Sequence, residues 1–255
     1  MARGRAEPEP PVLRAALIPA SLVAVFLLIY AAELPFFVAA SASVPFLLLF
    51  VVAPFWAKRS TARFDRDVVR LLTTDRQREL EPRLLRALGM RLFAPPAQVA
   101  ERRGMIASEN GAPRSARRSY RKAMKGYEDP EHVPMSVLLG YAHASYALGD
   151  DPEAIQSYRK VLAMQGPMPK LERNLAHALI RRNEDAKQAM EMLDRAEAQA
   201  ATDDERAEMD LIRAIGEAKR GRRATAKDTL RRHEDLDTEA AGALLAELRE
   251  ELGER

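Results

Sequence analysis

Two segments, YAHASYALGDD at 141–151 and LAHA at 175–178, share an Ala-His-Ala triplet whose histidines, His143 and His177, stand 34 positions apart. A fixed interval of that size constrains the fold more than any other feature of the chain. A unit so short cannot bury its own apolar face and must stack on copies of itself. From 97 to 232, short helical patterns alternate with turns marked by Gly or Asp. Ala142 lies seven positions before the turn residue Gly149, and Ala154, Tyr158 and Val161 follow at spacings of 4 and 3. Asp150-Asp151-Pro152 supplies an N-cap acid and a proline in the first helical turn. Aromatics make up only 6% of the chain while helix formers abound, so the composition also speaks against a β-rich fold.

The spacing resembles the tetratricopeptide repeat (TPR) family, whose 34-residue unit is a pair of antiparallel helices. With Met135 as the first position of a unit, Ala142, Gly149, Ala154 and Tyr158 fall where the family places its small and large residues. A unit from Ala97 aligns Gly104, Gly111, Ala116, Tyr120 and Ala123, and one from Ala207 aligns Ala214, Gly221, Ala226 and Leu230. The unit from Pro169 aligns Leu175 and Ala176, then needs a one-residue insertion to align Ala189, Leu193 and Ala196. The resemblance covers about 135 of 255 residues. It implies an all-α fold with a TPR-like α-solenoid of about four hairpins over 96–233. An acidic capping helix is expected over 234–255, its apolar face made of Leu244, Leu245, Leu248 and Leu252.

The resemblance also implies a concave groove lined by the first helix of each hairpin. Its residues here would be Ser136, Leu139, His143 and Tyr146, then Lys170, Arg173, Asn174, His177 and Arg181. Cationic and apolar side chains mixed in this way suit a protein or peptide partner with acidic and apolar anchors. The equal spacing of the two histidines follows from the repeat alone. Two imidazoles do not make a zinc site, which needs three or four ligands, so neither a metal nor a cofactor is expected.

Ahead of the repeats the chain is strongly apolar. Residues 15–32 form 18 uncharged positions and 34–57 form 24 more, separated by Glu33. A bilayer core about 30 Å thick needs ~20 helical residues, so both stretches are expected to span it as a helical hairpin, at about 15–32 and 35–57 within a 1–57 anchor. Arginines before the first stretch and a Lys/Arg cluster after the second place both termini and the repeat domain in the cytoplasm, by the positive-inside rule. The expectation is thus an integral protein of a bacterial cytoplasmic membrane, in contact with lipid through the hairpin.

Residues 58–95 are expected to be a basic amphipathic helical linker, with Phe64, Val68, Leu71 and Leu72 on one face and Leu80, Leu84, Leu88 and Leu92 on another. A second basic patch comprises Arg114, Arg117, Arg118, Arg121, Lys122 and Lys125. Neither stretch carries stacking aromatics or a base-reading element, so nucleic acid is not the expected partner. No phosphate-binding loop, nucleophile elbow, dinucleotide fingerprint or H-E-x-x-H helix occurs, and with no cysteine there is no thiol chemistry. The sequence therefore reads as a membrane-anchored interaction scaffold rather than an enzyme. The alternative is an electrostatic lipid- or nucleic-acid-binding module using 58–125.

Overall fold

The computed structural model describes residues 20, 23, 24, 27, 36–74, 76–127, 129, 132–236 and 238–254, with side chains of the first helix described from Val52 onward. Among the described residues every regular element is helical and no strand occurs. The chain divides into two compact units, 1–140 and 141–255.

In the first unit, α1 (Phe36–Thr73) is followed by a 3-10 turn at Gln77–Glu79 and two short helices, α2 (Leu80–Arg86) and α3 (Leu88–Phe93). A hairpin of α4 (Pro96–Glu109) and α5 (Pro113–Lys125) comes next. The core runs from Ala57, Phe64, Val68 and Leu71 of α1 through Leu80, Leu84 and Met90 to Val99 and Ile106 of α4. The face expected from Leu80, Leu84, Leu88 and Leu92 splits. Leu80 and Leu84 are buried, whereas Leu88 and Leu92 are 51% and 42% exposed. Ala87 (φ −77°, ψ 58°) interrupts the helix there, which resets the phase and turns Met90 inward.

The membrane placement requires correction. The second expected span, 35–57, falls almost wholly within α1, which continues unbroken through Lys58, Arg59 and Arg63 to Thr73. Ala53 and Ala57 at the end of that span are buried, and Trp56 packs on Phe93 with ring centroids 5.6 Å apart. From Val52 on, α1 is therefore an amphipathic helix with one face in a protein core. Among the described residues no helix is long and apolar enough to cross a membrane. That overturns the integral-membrane localisation and leaves the lipid-spanning hairpin without support among the described residues. The first expected span, 15–32, lies outside the described residues except for Ala20, Val23, Ala24 and Leu27.

Helix α6 (Met135–Ala147) straddles the division between the units. The second unit continues with α7 (Asp151–Gln165), α8 (Pro169–Arg181), α9 (Ala186–Glu197), α10 (Asp203–Lys219), α11 (Arg223–Arg232) and α12 (Glu239–Leu252). The hairpin turns repeat one hydrogen-bond pattern. The N–H groups of Ala112, Asp150, Glu184 and Arg222 each donate to a carbonyl five residues back, on Ala107, Ser145, Leu179 and Glu217. The residue before each donor is left-handed: Gly111, Gly149, Asn183 and Gly221, with φ of 64°, 71°, 55° and 81°. This is the Schellman closure of a helix C-terminus, where glycine or asparagine avoids the Cβ penalty. In the third hairpin α9 begins three residues after Asn183, and Asp185 is also left-handed (φ 38°), so the extra residue lies in this turn.

The small residues of the repeat serve close helix approach. Ala142, Ala154, Ala176, Ala189 and Ala226 are fully buried, as is Tyr158. In the first unit a Cβ added at Gly104 would lie 2.9 Å from the Tyr120 ring, and one at Gly140 only 2.2 Å from it. The ring occupies the space that any side chain at Gly140 would need.

Candidate functional site

The residues expected to line a groove fall in both units. Ser136 and Leu139 belong to the first, where Ser136 is exposed and its hydroxyl donates to Glu101 at 2.7 Å, and Leu139 is half-buried. The other residues lie in the second unit, on the face made by α8, α10 and the end of α6. His143 and Lys170 are exposed, Tyr146, Arg173, Asn174 and Arg181 are half-buried, and His177 is buried.

Three of these side chains, His143, Tyr146 and Asn174, meet at Tyr158, an α7 residue that the repeat pattern assigns to packing between helices. Its ring takes edge contacts from His143 at 5.6 Å and Tyr146 at 6.3 Å, and its hydroxyl accepts from Asn174 at 3.4 Å. Arg173 pairs with Glu208 of α10. Burial on the floor of this face, then the Arg173 charge, hold the His143 pKa below its ordinary 6.5, even though solvent reaches the ring. At this end the face is open, aromatic and cationic.

The other end is covered. His177, expected on the same open face, is 2% exposed. The Tyr146 hydroxyl lies 2.6 Å from His177 Nδ1, and His177 Nε2 lies 3.2 Å from Glu247 of α12. Burial raises the Tyr146 pKa to about 12 against the nearby Arg181 and Arg173 charges, so the phenol stays protonated. His177 thus bridges α6 and α12, with Nδ1 toward the Tyr146 hydroxyl and Nε2 toward the Glu247 carboxylate. Burial works against the Glu247 charge, but the His177 hydrogen bond, with Arg181 and Lys219 nearby, outweighs it and holds the carboxyl below its ordinary 4.5. Arg181 stacks 4.6 Å over the Tyr146 ring, donates to the Tyr146 carbonyl at 3.3 Å and meets Asp151 at 2.8 Å.

Helix α12 is held by Ala241, Leu244, Leu245, Leu248 and Leu252, all buried, and packs on α10 and α11. The sequence marks its leucine stripe. It carries no signal that Glu247, 70 positions on, reaches His177. Lys219, which meets Glu251 at 2.7 Å, is likewise absent from the expected set. Among the described residues no three His, Asp or Glu side chains are grouped to hold a metal ion.

The basic patch lies on α5 in the first unit. Arg114, Arg118, Arg121, Lys122 and Lys125 are exposed and Arg117 is half-buried, while Ala116, Tyr120 and Ala123 face inward. Elsewhere in 58–125 several cations are already matched, Arg102 by Asp65 at 3.1 Å and Glu101 at 2.7 Å, and Arg83 by Asp67 at 3.8 Å.

No protein-family model matches the sequence, and no curated protein matches it. Among solved structures, the chain is similar to a tetratricopeptide repeat protein from Parabacteroides merdae, with a TM-score of 0.52 and 16% identity over 76% of this chain and 74% of that one. It is also similar to PilF of Pseudomonas aeruginosa, with a TM-score of 0.48 and 15% identity over 92% and 99%.

Proposed function

We propose that this chain, whose fold is that of a tetratricopeptide-repeat protein, is an interaction scaffold without catalytic chemistry that captures a protein partner on the first-helix face of its second unit. One observation carries the reading. Exposed His143 and half-buried Asn174 touch the Tyr158 side chain, and exposed Lys170 and half-buried Arg173 share the helical face of Asn174 on α8. Stacking of hairpins requires the alanines, leucines and Tyr158, which are buried. It does not require cationic and aromatic groups facing outward from the same helices. Such groups suit an extended or helical segment bearing a carboxylate and an apolar anchor.

The test is site-specific crosslinking in the full chain. A photoreactive residue at position 143 or 170 is expected to yield a discrete partner adduct, and one at Lys187 on α9, whose side chain is 90% exposed, is not. Lys170→Glu with Arg173→Glu is expected to reduce the adduct at position 143 tenfold or more. Capture should survive moderate salt, unlike binding driven by phosphate neutralisation. Adducts of equal yield at 143 and 187 would refute the proposal.

A further inference from the structure

We infer that α12 is a built-in occupant of the first-helix face, and that the natural ligand of its covered end is an acidic amphipathic helix of the same chemistry, which displaces it. The inference rests on the scaffold reading above and names the partner class and the regulation of that face.

The covered floor is built for charge. His177, Arg181 and Lys219 surround the place where α12 sets Glu247 and Glu251, one helical turn apart beside the Leu244, Leu248 and Leu252 stripe. A helix that merely sealed the last hairpin would need its apolar stripe against α10 and α11. Here α12 also extends a carboxylate to α8 and thereby closes over the histidine that repeats His143. The fit is incomplete, because the buried Arg181 Nε has no hydrogen-bond partner among the described residues. Two ion pairs near the C-terminal end of α12 are half-exposed and screened by solvent. Lys227 and Glu254 are 44% and 41% exposed, and Arg249 and Glu234 are 42% and 61% exposed. Among the described residues α12 rests on α10 and α11 through its own apolar stripe, so it can open locally before the hairpins beneath it unfold. Tethering raises its local concentration, so a competitor must offer the same carboxylate spacing and apolar stripe, with a better partner for Arg181.

The experiment uses the full chain and a fluorescent peptide of residues 238–254 as probe. Glu247→Lys/Glu251→Lys in the chain weakens the internal helix and leaves His177, Arg181 and Lys219 in place. This variant is expected to bind the peptide at least tenfold more tightly than wild type, and a peptide carrying the same two substitutions is expected not to bind. Equal affinity for both chains, or binding to neither, overturns the proposal. A concentration-dependent dimer that exchanges α12 also overturns it, by assigning the face to a second copy. Should the variant lose its folded hairpins, amide exchange on the wild type decides the matter. Protection in α12 at least tenfold below that of α10 is expected, and equal protection overturns the claim. Crosslinking at positions 143 and 170 does not pass through α12, so failure of this inference is distinguishable from failure of the scaffold reading.

Discussion

His143 and His177 occupy the same place in successive hairpins, 34 residues apart, and their surroundings could hardly differ more. His143 is exposed, with one edge on Tyr158 and the Arg173 charge close by. His177 is sealed between Tyr146 and Glu247. Repeat position decides which face of the solenoid a side chain joins. It does not decide whether that face meets water, because the covering element comes from another part of the chain.

The largest effect that separates the two sites should come from carboxylate substitution. His177→Glu would place a buried charge against Glu247 and is expected to cost about 3 kcal/mol or more in a denaturant titration. His143→Glu on the open end should stay within about 0.5 kcal/mol. Equal costs would erase the distinction between the two sites. A gain should follow at Gly242, which is exposed within α12 and has nothing within 4 Å of an added Cβ. Gly242→Ala is expected to stabilise α12 by about 1 kcal/mol through helix propensity, raising its exchange protection and leaving His143 unchanged.

Acid should open the covered end selectively. Glu247 titrates below its ordinary 4.5 in the folded chain, so its contribution is complete above 4.5 and is lost as pH falls through the lower folded value. His177, Arg181, Lys219 and Asp151 face it across the joint, and α12 protection is expected to fall there before that of α8. The smallest effect concerns His143, whose imidazole proton resonances should titrate below 6.5 and move back toward it in Arg173→Gln.

Much of this architecture is legible from the residues. Gly111, Gly149 and Gly221 mark three of the four turns, and the alanine and tyrosine positions mark the helix contacts. The fourth turn was harder to read because Asn183, not glycine, takes the left-handed position, with an added residue before α9. The apolar run to 57 misled because hydropathy alone cannot tell lipid from the packed partners that bury Ala53 and Ala57. Leu88 and Leu92 misled because a backbone kink at Ala87 has no side-chain signature. The open end of the site followed from the repeat. The covered end did not, since a charge contact between α8 and α12 leaves no periodic trace.

Arg181 sits at the seam between hairpins, where its guanidinium caps the carbonyl end of α6 and neutralises Asp151 in the first turn of α7. The α6–α7 hairpin is thus finished by a residue of the one that follows, and Lys219 of α10 likewise donates to the Arg181 carbonyl at the end of α8. A shortened chain ending near Gly166 would leave Asp151 uncompensated and Tyr146 without its cation, so a fragment that keeps the α6–α7 hairpin should also keep α8, which carries Arg181.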